Sequence, residues 1–352
     1  MAEPGQSDSL RPLDDLDPLE PAERRGGEVE IRAAGLPLGA HHFNLGIAPY
    51  EGGFIGIFRY EGLGQSGSHN SFLGTMYLDA ELTPIGDMAT LSLSTGSLTA
   101  LFPQDPRLVA HQGRYFVVFS AATSEDEYGQ RRVHLAELEL SRQPPQVAPT
   151  TSLGRIRRLR PVAGDKGDAF PMNHWEKNWS PFSWGRALYF IYRTSPHLIL
   201  RLNDDDLERA DDEVALSVLE VESPPALLWH WGEPRGGTPA VYDRELDRFV
   251  TFFHSVVVAE PGTQDENLRW LTGFYTFTPH PPFTADRFVP VPLMPAAFRR
   301  EAQSDLKRRV LFPSGLAIGD RDYLVSYGRR DNAMGVLHFR RDVLHKKLVP
   351  VR

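Results

Sequence analysis

The sequence predicts an all-β fold, a five-bladed β-propeller. Three observations carry that expectation. Five segments share one plan: a short polar or Gly/Pro-containing lead-in, a turn, then an apolar and aromatic strand. The second strands of these units end at Arg59, Ser120, Arg193, His254 and Tyr327, at intervals of 61, 73, 61 and 73 residues. Units of that length each have room for four strands, the content of one propeller blade. A two-sheet sandwich with coincidental turn spacing is the competing architecture.

Residues 1–28 are Pro-rich, acidic and almost free of aromatics. Such a segment buries too little apolar surface to offset its conformational entropy, so a disordered leader is expected there and a single propeller domain over 29–352. The first unit, FNLGIAPYEGGFIGIFRY (43–60), turns at Tyr50-Glu51-Gly52-Gly53. The second, QDPRLVAHQGRYFVVFS (104–120), turns at His111-Gln112-Gly113. The third, KNWSPFSWGRALYFIYR (177–193), turns at Trp184-Gly185. The fourth, GGTPAVYDRELDRFVTFFHS (236–255), turns at Tyr242-Asp243-Arg244 without a Gly, and the fifth, FPSGLAIGDRDYLVSYG (312–328), turns at Gly319-Asp320. Each sits where a hairpin needs a tight reversal. Alternating Phe, Tyr, Val and Ile make these strands rather than helices. Apolar runs at 71–79, 133–141, 197–203, 269–278 and 335–342 suit outer strands. The one helical candidate is PAAFRREAQSDLKRRV (295–310).

Composition narrows the function classes. The 352 residues are 41% hydrophobic, enough for a sizeable core. There is no Cys, which removes disulfides, thiolate nucleophiles and Cys-built metal sites. A formal net charge of −8 argues against nucleic-acid binding. No apolar run reaches membrane-spanning length, and the first residues lack a secretory pattern, so a cytoplasmic protein without membrane contact is expected. The runs Asp204-Asp205-Asp206 and Asp211-Asp212-Glu213 lack calcium-loop spacing and read as a solvated loop. No His pair has metal-ligand spacing, neither GDKGD (164–168) nor GEPRGG (232–237) sits in the strand–helix setting of a phosphate loop, and no Gly-x-Ser-x-Gly elbow is present. No metal and no resident cofactor is expected.

In a propeller the innermost strands line a central channel, so polar groups at their ends converge. The lead-ins supply Asn44, Asp105, Arg107, Glu176, Lys177, Asn178, Trp179, Arg235 and Thr238; the strand ends add Arg59, Arg193, His254, Tyr327 and Asp331. Carboxylates and amides bond sugar hydroxyls, aromatic faces cover the apolar face of a ring, and Arg or Lys holds an anion such as phosphate. Each group also has a plainer reading. Asp105-Pro106-Arg107 is a turn in which the two charges pair; Glu176 and Lys177 are an ion pair beside a core Trp179; Arg59 and Arg193 are buried cations with structural partners; His254 is a satisfied core residue; Asp331 closes the ring onto the first blade.

The order Phe43-Asn44-x-Gly46, Arg59, Asp105-Pro106-Arg107, EKNWSPF (176–182), RGGTP (235–239) with FFHS (252–255), and FPSGL (312–316) with SYGRRD (326–331) resembles glycoside hydrolase family 130 and its relatives. The likeness spans roughly residues 40–340. The resemblance implies a five-bladed propeller that acts on β-mannosides by inverting phosphorolysis, hydrolysis or β-1,2-mannosyl transfer. For such an enzyme the candidate carboxylates here are Asp105 and Glu176, with Arg59, Arg107, Lys177, Arg193 and His254 positioning sugar or anion. Inorganic phosphate is then a co-substrate, and the partner is a small sugar or oligosaccharide. After Arg59 the chain offers Glu61 but no Asp until Asp79, a departure from the acidic pair expected there. That departure favours the alternative, a carbohydrate-binding or interaction propeller without catalysis, while Asp105, Glu176 and the cationic set oppose it. The sequence does not fix the oligomeric state.

Overall fold

The computed structural model describes residues 28–37, 39–63, 69–127, 129–141, 150–163, 168–219, 221, 224–258, 268–293, 308–309 and 311–351. Residues 1–27 of the expected leader lie outside them, and Glu28 already belongs to a strand.

Five antiparallel sheets follow one another along the chain. Blade one runs from an inner strand His41–Tyr50 through Gly53–Leu63 and His69–Leu78 to Pro84–Thr90. Blade two has Leu101–His111 innermost, then Arg114–Ala122 and Arg132–Leu140. Blade three is Ser180–Trp184, Ala187–Arg193, Leu198–Asn203 and Glu213–Leu219. Blade four begins with two short pieces, Arg235–Gly236 and Val241–Asp243, both paired to Arg248–Val258, and continues with Leu268–Phe277 and Ala285–Phe288. Blade five is Leu311–Ile318, Asp322–Arg329 and Ala333–Arg340, completed by Glu28–Ile31 from the chain start. Strand Arg157–Ala163 pairs with both Arg132–Leu140 and Glu213–Leu219, joining the outer edges of blades two and three.

Period-2 alternation explains the stacking. In blade two, Val117 and Phe119 pack with Ile55, Ile57 and Leu73 of blade one. Phe116 and Val118 face the other way, onto Leu188, Phe190 and Leu200 of blade three. Phe182 and Tyr189 meet Phe249 and Phe277; Phe252 and Phe274 meet Tyr323 and Phe339; Met334 and Val336 meet Phe58 and Tyr60. The fifth of these cores joins the last blade to the first, so the ring closes and the fold is a five-bladed propeller.

All five expected hairpins and all five further strands form. The fourth turn falls at residues 244–247, and the missing Gly is replaced by Asp247 at φ 53, with Asp243 Oδ1 accepting from Glu245 N at 2.9 Å. Of the expected helix, 295–307 lies outside the described residues, and Arg308–Arg309 pair as a strand. The run read as an outer strand over 335–342 stops at Arg340, where a seven-residue helix, Arg341–Lys347, begins. Asp204–Leu207 is one helical turn rather than loop. No helix among the described residues is long and apolar enough to cross a membrane.

Candidate functional site

The five inner strands run in the same direction, so their starts share one mouth of the ring. At that level the ladder breaks. Register shifts fall at Phe43/Gly46, Gln104/Arg107 and Pro313/Gly315, and Asn44, Asp105 and Asn178 sit at φ 56, 53 and 64. Asn and Asp tolerate this left-handed backbone best among non-glycine residues. Neighbouring blades are bonded there. Asn44 Nδ2 donates to Asp105 Oδ1 at 2.9 Å, and Ser314 Oγ donates to Leu45 O at 2.8 Å. A Cβ on Gly236 would overlap the Asn178 carbonyl, and one on Gly237 the Phe252 carbonyl, which accounts for the RGG run.

Arg107 crosses this mouth. It is 2% exposed and donates to the carbonyls of Gly237, Asp105 (3.0 Å) and Gly236 (3.2 Å), and to Asn178 Oδ1 at 3.4 Å. Burial pulls its pKa down to about 10, against the pull of Asp105. Its donors are taken up by blades two, three and four, so it holds the backbone that carries the site.

Beside Arg107 a cavity of about 410 Å³ opens between blades three and four. It gathers Glu176, Lys177, Asn178, Arg193 and Arg235 from the expected set. Glu176 is 2% exposed, and its carboxylate accepts from Asn173 N (2.5 Å), Trp179 Nε1 (3.1 Å) and Tyr192 Oη (3.0 Å). Burial and the Glu176 charge raise the pKa of the Tyr192 hydroxyl, which stays a donor. Lys177 Nζ lies 5.6 Å from the Trp175 ring centroid, and Arg235 pairs with Glu233 at 3.2 Å. His254 is buried next to the cavity, its ring 4.7 Å from that of Phe312. Desolvation, with Arg107, Arg235 and Lys177, brings its pKa down to about 3, so it is neutral. Its Nδ1 has no partner among the described residues.

Other expected residues stand apart. Asp105 is linked to the cavity through Arg107 and Asn178, and its Oδ2 has no bond among the described residues. Arg59 pairs with Glu61, donates to Ser71 Oγ at 2.9 Å and lies over Phe43. Trp179 is 1% exposed and packs on Phe190 and Tyr192; it presents no face to a sugar, and its indole N–H orients Glu176 instead. Thr238 is fully buried and bonds Phe252 N at 3.0 Å, a structural role. Tyr327 is buried in the core between blades four and five, and Asp331 is an exposed turn residue at φ 53. Sequence reasoning missed Trp175 and Arg131. Trp175 is 54% exposed at the cavity, directly before Glu176. Arg131 feels both Arg59 and Asp105 and donates to Phe102 O at 2.7 Å. Trp175 adjoins a recognised run, whereas Arg131 lies just before an outer strand, bridged to Trp175, where the repeat gives no signal.

No family model and no curated protein matches the chain. Solved structures do. A β-1,2-mannobiose phosphorylase from Listeria innocua, in complex with β-1,2-mannobiose, is 13% identical with a TM-score of 0.57, covering 93% of this chain and 98% of its own. A structure of the GH130 family of mannoside phosphorylases, described as containing hydrolases that target β-1,2 mannosidic linkages in Candida mannan, is 13% identical at a TM-score of 0.56, over 98% and 95% of the two chains. A mannose phosphorylase from Leishmania mexicana, in complex with phosphate ion, is 11% identical at 0.52, over 92% and 91%. At these identities the likeness establishes the shared fold.

Proposed function

We propose that the protein is a carbohydrate-active enzyme that cleaves β-mannosides or closely related glycosides by inverting single displacement, with inorganic phosphate as the attacking group. The observation that carries this reading is the cavity in which bonded Glu176 faces Lys177, Arg193 and Arg235, with neutral His254 behind. The neighbours' printed ligands, a mannobiose and a phosphate ion, are the chemistry such a cavity fits.

Asp105 is the acid. One oxygen is held by Asn44 and the other is free to protonate the leaving oxygen, directly or through a sugar hydroxyl. Glu176, fixed by three donors, orients sugar hydroxyls. The three cations hold phosphate on the opposite face of the sugar, where its oxygen attacks the anomeric carbon and gives a sugar 1-phosphate of inverted configuration.

The test is incubation with β-linked mannobiose and phosphate, with sugar phosphate measured by NMR. Asp105→Asn is expected to lower the rate by about 10²–10⁴-fold, and Lys177→Ala to raise the phosphate KM. If Asp105→Asn and Glu176→Gln both keep the full rate, the assignment is wrong. Free mannose without phosphate dependence selects hydrolysis, and sugar binding without product selects the non-catalytic propeller.

A further inference from the structure

We propose that Ser183, His111 and Asp204 form a second reactive site, an esterase centre for short apolar acyl groups, at the mouth of the ring opposite the glycoside cavity. His111 ends the inner strand of blade two, Ser183 lies in the inner strand of blade three, and Asp204 follows that blade's third strand.

The hydrogen bonds fix the direction of the relay. His111 is 3% exposed; its Nε2 lies 2.5 Å from Asp204 Oδ1 and its Nδ1 2.7 Å from Ser183 Oγ. An ionised carboxylate only accepts, so Nε2 carries the proton. In the neutral ring Nδ1 is then the acceptor for the Ser183 hydroxyl, the polarity a base needs to activate a nucleophile. The two ring nitrogens are exchanged relative to the serine-protease arrangement, but the donor–acceptor order is the same. Asp204 is a positioning residue, its Oδ2 held by Gln112 Nε2 at 3.2 Å.

The backbone supplies an oxyanion donor. The strand Ser180–Trp184 pairs on one side only, with Ala187–Arg193. On its free edge Pro181 O accepts from Ala240 N at 3.0 Å. Residues two apart in a strand point their backbone groups the same way, so Ser183 N–H is directed out of the same unpaired edge. A nucleophile's own amide is one of the two donors in the protease oxyanion hole.

The cavity here is of a different kind from the first. It measures about 580 Å³, and Ser183 lines it together with Ala240 and with Ala48, Ala110, Phe249 and Leu316, which come from four other strands and all four remaining blades. Four charged residues line it, Asp243, Arg244, Glu245 and Arg341, and Arg341 pairs with Asp243 at 2.8 Å and with Glu245 at 2.7 Å. The apolar side chains suit a hydrocarbon acyl group; of the two lining hydroxyls, that of Tyr242 is bonded to Asp247 at 2.6 Å, and that of Ser183 is left to react.

In the reaction Ser183 Oγ bonds to the ester carbonyl carbon as its proton passes to His111 Nδ1. The C–O bond to the alcohol breaks, and the alcohol leaves with that proton. Water then attacks the acyl-serine, gives a proton to Nδ1, and Ser183 Oγ leaves and takes it back as the carboxylic acid departs.

The test uses the full chain, a fluorophosphonate probe and p-nitrophenyl acetate and butyrate. Probe adduct at Ser183 by mass spectrometry is expected, with hydrolysis abolished by Ser183→Ala and lowered by at least about 10²-fold by His111→Gln. Asp204→Asn should lower the rate and shift its pH profile, which a purely structural contact does not do. Because the chain has no Cys, Ser183→Cys makes a single thiol. Its alkylation should titrate below the free-thiol value of about 8.5 when His111 is present and return there in the double variant with His111→Gln. Wild type that is unlabelled and hydrolyses no faster than Ser183→Ala, or a thiol that titrates normally, overturns the proposal. Sugar-phosphate release reports on the other mouth and enters neither outcome.

Discussion

Lowering the pH should destabilise this protein long before its carboxylates titrate. His134, His197 and His254 are buried, and burial brings their pKa values down to about 4, 4 and 3. The geometry explains why. Each ring meets the backbone through one nitrogen: His134 Nδ1 bonds Arg132 O at 3.1 Å, and His197 and His254 bond the backbone at Phe283 and Gly236. The other nitrogen, Nε2 in His134 and His197 and Nδ1 in His254, has no partner among the described residues. Protonation would place a second N–H, and a charge, where no acceptor stands. The unfolded chain takes up these protons near its ordinary value of about 6.5, while the fold does not, so stability falls as pH falls from about 6.5 toward 4. At about pH 5 each unfolded histidine gains about 1.5 pH units of protonation, or about 2 kcal/mol, and the three together about 6 kcal/mol. That is comparable with the whole stability of many domains. Urea unfolding at about pH 7 and pH 5 measures it. His197→Phe, which keeps an aromatic ring between Tyr275 and Phe277, should remove about a third of the loss. A stability that changes by less than about 2 kcal/mol across that interval, or a His197→Phe variant with the full loss, refutes the reasoning.

Three further outcomes are expected. Asp243, fully buried, accepts from Tyr323 Oη at 2.5 Å and Arg341 Nη2 at 2.8 Å, so Asp243→Asn weakens both bonds while Glu245 stays beside Arg341 at 2.7 Å, and should cost about 2 kcal/mol by urea unfolding. A Cβ on Gly328 would overlap Asn44 Oδ1, so Gly328→Ala should weaken turnover by displacing the Asn44–Asp105 bond while the circular dichroism spectrum stays that of a β protein. Trp175→Ala removes a ring that is 54% exposed, so it should leave the unfolding midpoint in place and weaken oligosaccharide binding, by calorimetry, by about 10-fold.

The strands were legible because each blade is covered on both faces. Two-sided burial selects Phe, Val, Ile and Tyr in period-2 runs, as in Arg114–Ala122, and those runs stand out from polar loops. Tight turns were legible where a positive φ requires Gly, as at Gly113 and Gly185. The fourth turn was displaced because Asp247 meets the same requirement without a Gly. Glu176, Lys177, Asn178, Arg193 and Arg235 were found by repeat position, since a closed ring turns equivalent positions into neighbours. Arg107 and Trp179 have that same repeat position, but their side chains point into the protein, and no single strand reports which way an irregular lead-in turns. Arg131 was invisible because its place at the site comes from a bridge, just before the third strand, to 174–176 in the next blade.

The two mouths differ because only one end of each inner strand is irregular. Where His41–Tyr50, Leu101–His111 and Leu311–Ile318 pair in regular register, their residues alternate between the two blade interfaces, and small apolar side chains are left to line the channel: Ala48, Ala110, Ala317. Where the register slips, side chains are released from that alternation. Asn44 and Asp105 can then face each other across a blade boundary, and Arg107 can reach across the ring to Gly237. A ladder slip costs backbone hydrogen bonds, and polar side chains take up freed carbonyls here: Ser314 bonds Leu45 O from the neighbouring blade, and Arg107 bonds Asp105 O of its own strand and the Gly236 and Gly237 carbonyls of blade four. The groups that close the ring are therefore the same groups that make its mouth polar. Variants there should disturb stability and turnover together, whereas Lys177 and Arg193, which extend from that frame into the cavity, should separate the two.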